Sequence, residues 1–149
     1  MKRKDWRERA KEIKRWFPRQ PFTQGFGLSL DYLGKNSARV SLVLCLKHCT
    51  ETEIVTGGVH YYAGNAAAVS LAQMQTNAFT KLVNGRMSYP RPIDLKEGEV
   101  ITAKAKFLEI NFCRIVIRVE ITSKDSKKIK AAGTYEYAIP NNDYRSLRR

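Results

Sequence analysis

The chain has 149 residues, of which 43% are hydrophobic, so it is long and apolar enough to form one domain around a buried core. This content excludes intrinsic disorder as the default interpretation. Its 27 Lys and Arg against 14 Asp and Glu give a net charge of +13, which favours phosphates, anionic cofactors, nucleic acid or an acidic membrane surface as partners without choosing among them.

The cysteines and the N-terminus indicate the compartment. Cys45, Cys49 and Cys113 are spaced unlike any disulfide framework, which favours a reducing cytoplasm and no disulfide partner. No apolar segment follows the charged N-terminus, and no window approaches the ~20 apolar residues of a membrane span. The two cysteines near His48 and His60 lack the paired ligand spacing of zinc sites. We therefore predict a cytoplasmic protein without a metal or cofactor.

Residues 4 to 17 predict an amphipathic helix that Pro18 ends. Its apolar face comprises Trp6, Ala10, Ile13 and Phe17. Residues 1 to 20, with nine basic and three acidic residues, form a separate N-terminal segment in this prediction. We expect it to pack on the edge of the domain or on a partner, and an arm that binds a membrane surface or nucleic acid is the alternative.

The next segments predict an antiparallel strand pair followed by one helix. The strands are "GFGLSLDYLG" and "SARVSLVLCLK", and the second alternates with an inward face of Ala38, Val40, Leu42, Leu44 and Leu46. Residues 59 to 79 lack alternation and are rich in Ala, Leu, Gln and Met, after the glycine pair Gly57 and Gly58. This composition predicts a long, buried helix.

The remaining chain returns to strands, with "NGRMSYPRPI", "EVITAKAKFLEI", "FCRIVIRVEITS" and "IKAAGTYEYAI" in order. The last two have inward faces at Cys113, Ile115, Ile117, Val119 and Ile121, and at Ile129, Ala131, Gly133, Tyr135 and Tyr137. This order predicts an α+β domain over residues 21 to 140, with a curved antiparallel sheet around a long central helix. Residues 141 to 149 are predicted to be a basic tail.

At this point the chain resembles the hotdog fold, and specifically the small acyl-CoA thioesterases of the phenylacetate-degradation type. The resemblance covers about residues 22 to 139 and lies in "GFGLSLDYLG", the glycine pair, "YPRPIDLKEGEVITAKAKFLE" and the final hairpin. It implies an acyl-CoA or acyl-carrier thioester as substrate, hydrolase activity, and a homodimer or dimer of dimers. None of these properties follows from composition or spacing alone.

Thioester hydrolysis needs hydrogen-bond donors for the carbonyl oxygen and a base for water. The amides of Gly57, Gly58 and Val59 at the predicted helix start are our candidate donors. The family places an Asp or Glu two turns further along the helix, where this chain has Asn65. An amide can orient water but cannot take its proton near neutral pH, so Asn65 is predicted to position water only.

The candidate base is therefore His60, because its ordinary pKa lies close to neutral. A histidine that packs or caps at the helix start is the structural alternative. Glu51 and Glu53 are a second source of a carboxylate, from the loop before the helix or across a dimer interface, and solvated loop acids are the alternative for both.

The remaining candidates are two tyrosines, one serine and a set of basic residues. Tyr61 and Tyr62 are predicted to be core or interface residues, with one hydroxyl lining an acyl channel as the alternative. Ser70 lacks the context of a catalytic nucleophile. The phosphates of CoA are expected to contact a basic set, for which a solvated face is the competing interpretation: Arg86, Arg91, Lys104 and Lys106.

A second resemblance keeps a non-catalytic function open. The hotdog effector domain of malonyl-CoA-sensing repressors also lacks a catalytic carboxylate, and its helix start is similar to "GVHYYAGN" in this chain. This resemblance implies an acyl-CoA or malonyl-CoA sensor or regulator as the alternative to a thioesterase. Nucleic-acid binding is third, because the charge permits it but no RNA-recognition strand motif is present.

Overall fold

The computed structural model describes residues 5–76, 80–95, 98–111, 113–124 and 126–140. Three α-helices and six strands follow in chain order: α1 Trp6–Trp16, α2 Pro21–Phe26, β1 Leu28–Leu33, β2 Ser37–Val43, α3 Gly57–Gln73, β3 Lys81–Ser88, β4 Val100–Ile110, β5 Arg114–Ser123 and β6 Ser126–Ala138. Short 3-10 helices lie at Phe17–Arg19 and Leu46–His48.

The strands form one antiparallel sheet in the order β1-β2-β4-β5-β6-β3. The helix α3 contacts β1, β2, β4, β5 and β6, so the sheet curves around it. Alanines at Ala63, Ala67, Ala68 and Ala72 are buried and let the helix lie close to the strands. The predicted α+β hotdog arrangement, with a sheet around a central helix, is confirmed.

The N-terminal helices cover the side of α3 that the sheet leaves open. Arg9 on α1 is buried, and its Nε donates to the backbone oxygen of Gln73 at the end of α3, at 3.1 Å. Its Nη1 pairs with Glu12 at 2.9 Å. A cation at the C-terminus of a helix interacts favourably with the helix dipole. The buried arginine therefore fixes α1 against α3.

The predicted amphipathic helix is confirmed in α1, which ends before Pro18. Ala10, Ile13 and Phe17 belong to the core, as predicted. Trp6 was predicted on the same face but is largely exposed. No helix in the described ranges is long and apolar enough to cross a membrane. The predicted tail of residues 141 to 149 lies outside the described residues.

The inward position predicted for Leu46 is wrong. The strand ends at Val43, and Leu46 starts a 3-10 helix and is 62% exposed. The cause is His48, whose Nδ1 accepts from the amide of Cys45 at 3.1 Å, while Nε2 donates to the oxygen of Phe26 at 3.0 Å. Burial lowers the pKa of His48, which keeps the neutral imidazole that these two bonds require.

Three further differences concern segment ends. Phe26 was predicted in a strand but ends the helix α2, which stops at the left-handed Gly27 with φ of 72°. Cys113 is exposed rather than inward, because it precedes β5. The central helix begins at Gly57, before the predicted start at residue 59, so the glycine pair belongs to its first turn. It ends at Gln73, before the predicted end at residue 79, and residues 77 to 79 lie outside the described residues.

Candidate active site

The N-terminus of α3 presents two backbone amides that have no hydrogen-bond partner among the described residues. The amide of Val59 donates to the oxygen of Thr56 at 3.0 Å, whereas those of Gly57 and Gly58 donate to no described residue. The positive end of the helix dipole lies at the same place. Two of the three predicted donors are therefore available to an anion or to a carbonyl oxygen that gains negative charge.

His60 lies in the first turn of α3 with its Nδ1 3.1 Å from the oxygen of Thr56. A carbonyl oxygen only accepts, so Nδ1 carries the proton and Nε2 the lone pair. The side chain is only 3% exposed, and this burial lowers the pKa of His60 while the bond to Thr56 opposes the shift. The imidazole is neutral near pH 7, and Nε2 has no partner in the described part of the chain.

Tyr89, directly after β3, covers His60 and the start of the helix. Its ring lies edge-on to the imidazole with centroids 5.7 Å apart, and its hydroxyl donates to the oxygen of Gly57 at 3.0 Å. Sequence reasoning gave this tyrosine no role, although it begins the quoted "YPRP" motif. Tyr89 therefore contacts both the imidazole of His60 and the first residue of the helix.

Asn65 is bound by Tyr137 from β6. The Tyr137 hydroxyl lies 2.5 Å from Oδ1 of Asn65, a distance typical of O–H···O rather than N–H···O bonds. Burial raises the pKa of Tyr137, so it stays protonated and donates. This assigns the amide orientation: Oδ1 faces the tyrosine and is occupied. The group that Asn65 offers to a ligand is its NH2 donor.

His60 and Asn65 do not share a face of the helix. At the helical repeat of 3.6 residues, a separation of five positions turns the side chain by roughly 140° around the axis. Asn65 instead shares its face with Tyr61, whose backbone oxygen accepts from the hydroxyl of Tyr135 at 2.7 Å. The structure therefore holds the tyrosine network and Asn65 together, and it places His60 on another side.

Tyr61 and Tyr62 have different surroundings. Tyr61 is half-buried against β3, where a Cβ on Gly85 would collide with its hydroxyl. Tyr62 is 39% exposed, and its ring stacks on Phe22 and is tilted against Phe26 of α2, with centroids 5.0 Å away in both cases. We call Phe22, Phe26 and Tyr62 the aromatic patch. Because Tyr62 lies one turn past Gly58, the patch adjoins the free amides, and the sequence did not indicate its two phenylalanines.

Glu51 and Glu53 lie exposed in the loop before the helix. Glu53 closes a tight turn, in which its amide donates to the oxygen of Thr50 at 3.0 Å. Its φ of 58° lies in the left-handed region, which is unfavourable for a side chain with a Cβ. The structure records no hydrogen bond or ion pair from either carboxylate to the described residues.

Replacing Glu53 by glycine is expected to raise the free energy of unfolding by about 0.5–1 kcal/mol, because glycine adopts the left-handed conformation without strain. Urea denaturation measures this. The control is Glu51→Gly in the same loop, where φ is not positive, and it is expected to lower stability. Equal losses in both variants would contradict a strained turn, and a selective loss of ligand binding in Glu53→Gly would give its carboxylate a direct role.

The predicted basic residues are spread over the sheet. Arg86 is exposed on β3, and Arg91 follows β3 with its Nη1 donating to the oxygen of Ile129 at 2.9 Å. Lys104 and Lys106 are exposed on β4, on the face of the sheet that points away from α3. The structure therefore does not gather these cations around the start of the helix.

The Ser70 hydroxyl and the three cysteine thiols take no part in the candidate site. The Ser70 hydroxyl donates to the oxygen of Ala66 at 2.7 Å inside the helix, in keeping with its rejection as a nucleophile. Cys45, Cys49 and Cys113 are free thiols. Within the described ranges, no cluster of three or more His, Cys, Asp or Glu is arranged to hold a metal ion.

Solved structures of other proteins share the fold of this chain. The PaaI protein of the E. coli phenylacetic acid degradation operon matches 91% of this chain and 97% of its own, with a TM-score of 0.80 at 14% identity. A mutant of the phenylacetic acid degradation protein PaaI from Thermus thermophilus matches 81% and 100%, with a TM-score of 0.74 at 22% identity. Zebra fish thioesterase superfamily member 2 matches 88% and 98%, with a TM-score of 0.77 at 14% identity.

No protein-family model and no curated protein sequence matches the chain. The structural matches extend over nearly the whole of the compared proteins, so the similarity concerns the complete fold. The predicted resemblance is thereby confirmed for the fold: the chain has the hotdog fold that proteins of the thioesterase superfamily share.

Proposed function

We propose that this hotdog protein binds an acyl-CoA or acyl-carrier thioester at the N-terminus of α3 and hydrolyses it. The free amides of Gly57 and Gly58 carry this proposal, because they are paired donors at the positive end of a buried helix. Such donors stabilise the oxyanion of a tetrahedral intermediate. The aromatic patch offers an adjoining apolar surface for the acyl group, and Arg86 and Arg91 are proposed to contact the carrier phosphates.

In this proposal His60 is the base. Its neutral tautomer leaves the lone pair on Nε2, and its lowered pKa keeps that lone pair available at neutral pH. The sign of the pH dependence follows from the shift: turnover persists below the ordinary histidine pKa and is lost only when the imidazole protonates. The imidazole is only 3% exposed and Tyr89 packs edge-on against it, so we propose that Tyr89 limits how much water reaches Nε2.

A second candidate function is binding without hydrolysis, as in a sensor of acyl-CoA or malonyl-CoA. The contact between Tyr137 and Asn65 favours it, because it leaves an NH2 donor where a thioesterase of this type carries a carboxylate. A donor there strengthens binding of a carbonyl group but activates no water.

Purified protein incubated with a chain-length series of acyl-CoAs, with release of free CoA and binding measured in parallel, tests both functions. Turnover that is lost in His60→Ala supports the hydrolase. Tight binding without CoA release supports the sensor. A protein that neither binds nor hydrolyses any acyl-CoA or acyl-carrier thioester contradicts the proposed site altogether.

We propose that β3 pairs with a second copy of the chain to form a dimer or a dimer of dimers. This strand is an edge of the sheet, and its Leu82 and Val83 are 39% and 57% exposed. Unpaired apolar edges favour association with another strand. The partner would then cover the start of α3, which Tyr89, directly after β3, contacts.

Sedimentation velocity at micromolar concentration is expected to show a dimer or tetramer for the unmodified chain and a shift towards monomer for Val83→Lys. Val43→Lys is the matched control, since Val43 is also 57% exposed but lies on the interior strand β2. A monomeric unmodified chain, or identical behaviour of the two variants, would exclude the β3 interface.

A further inference from the structure

The outer face of the sheet, which points away from α3, is polar and rich in cations. Side chains alternate across a strand, so the neighbours of the buried apolar positions point outward. On the three central strands β2, β4 and β5, the outward residues include Arg39, Ser41, Thr102, Lys104, Lys106 and Arg118. Nothing in the proposed thioester chemistry uses this face.

Like charges lie directly opposite each other on this face. Arg39 on β2 pairs in register with Lys104 on β4, and Lys106 on β4 pairs with Arg118 on β5. Side chains in such positions are neighbours, and like charges there destabilise a sheet. Arg118 is compensated by Glu120 at 3.2 Å, and Glu120 is also the register partner of Lys104 on β5. Neither Arg39 nor Lys104 forms an ion pair with a described residue. Both cations of this pair therefore remain available to an anion on the outer face.

A groove of about 610 Å³ runs beside this pair, between the strands and the hairpin that joins β5 to β6. Lys124 and Lys127 from the hairpin line it together with Arg39 and Lys104. Asp31 is the single acid among the described lining residues; Asp125 in the hairpin lies outside the described residues. The lining positions described thus carry a net positive charge with little internal compensation.

The same groove is lined by hydroxyl groups from adjacent strands. Ser41, Thr102 and Thr122 are register partners across β2, β4 and β5, and all three line the groove. Hydroxyls donate hydrogen bonds to phosphate oxygens, and Lys and Arg supply the charge. No aromatic residue is among the described lining residues, so the groove offers no platform on which nucleic-acid bases stack.

We propose that this groove binds the di- or triphosphate group of a small ligand. A single monovalent anion neutralises one cation, whereas adjacent phosphates reach both members of the pair of Arg39 and Lys104 and also the hairpin lysines. Bound phosphates remove the repulsion between the two side chains, which the unliganded sheet retains. The proposal does not rest on the thioester function, because the groove and α3 lie on opposite faces of the sheet.

Calorimetric titration of the full chain with inorganic tripolyphosphate at low ionic strength tests the proposal. We expect one ligand per chain and an affinity that falls as salt is added. Lys104→Gln is expected to weaken binding about tenfold through loss of one charged contact. Lys11→Gln, an equal charge change on the exposed face of α1, is expected to leave the affinity unchanged.

ATP in place of tripolyphosphate identifies the source of the phosphates: equal affinity indicates recognition of the phosphate chain, and tighter binding of ATP indicates a nucleotide. An unchanged tripolyphosphate affinity in Lys104→Gln would overturn the proposal, since the like-charged pair would then be only a tolerated repulsion. Tighter binding of a short single-stranded oligonucleotide than of either probe would also overturn it in favour of a nucleic-acid surface.

Discussion

Asn65→Asp is expected to raise acyl-CoA hydrolysis above the turnover that His60 supports, within the ~10²–10⁴-fold that a general base usually contributes. The hydroxyl of Tyr137 occupies Oδ1 of Asn65, and one carboxylate oxygen of the variant keeps that bond. The second oxygen takes the place of the NH2 group and accepts a proton from water. The change therefore converts a donor into a base without altering the size of the side chain, and a continuous thiol assay measures it.

Two further variants and the pH dependence test whether the gain in hydrolysis comes from a new base. Asn65→Leu removes the donor without adding a base and is expected to weaken thioester binding without raising turnover. Asn65→Asp combined with His60→Ala is expected to retain the gain, since the new base replaces the imidazole. Because the carboxyl must be ionised, the gain is expected to fall as pH drops below its pKa. Binding without any gain would mean that the water site lies elsewhere in the protein.

The architecture was predictable because it depends on local patterns. Alternation in β5 placed Ile115, Ile117, Val119 and Ile121 on one face, and all four are buried. The small and apolar residues before and after Ala67 predicted a helix buried on nearly every side, which the sheet and the N-terminal helices enclose. Neither inference requires knowledge of a distant contact.

The candidate site was predictable only in part, because its side chains are oriented by distant segments. The glycine pair, His60 and Asn65 follow from the start of the helix. Their contacts include Tyr89, directly after β3, and Tyr137 on β6. A tyrosine in a strand pattern is interpreted as a core residue whether or not its hydroxyl forms a hydrogen bond with the helix. Sequence patterns therefore locate the site but leave its hydrogen bonds undetermined.

The failed prediction for Leu46 has the same cause. Alternation through "VLCLK" is compatible with a longer strand, and no local residue forbids it. The strand ends because the imidazole of His48 binds the amide of Cys45 and reaches back to Phe26, a contact between segments far apart in the chain. A local pattern sets the preference for a strand, and the tertiary hydrogen bonds of one buried histidine override it.

Gly133→Ala is expected to lower the free energy of unfolding by about 3 kcal/mol or more, as overpacking against a rigid neighbour does. Gly133 on β6 faces β3, and a Cβ there would collide with the backbone oxygen of Arg86 and lie 3.0 Å from Cα of Met87. The colliding atoms belong to the backbone, so no side-chain rotation relieves them. The strand β3 has to separate from β6 at this point.

Gly133→Ala is also expected to change the surroundings of His60, which a general loss of stability would not do. Displacement of β3 is expected to move Tyr89 away from Gly57 and from the imidazole of His60. The imidazole should then react faster with diethyl pyrocarbonate under native conditions. The matched control is Gly25→Ala in α2, where a Cβ meets no atom within 4 Å and alanine is the better helix former, so stability is expected to be unchanged or higher. Urea denaturation measures the free energy of unfolding of both variants. Equal values for Gly133→Ala and Gly25→Ala would show that β3 accommodates a Cβ by sliding along β6.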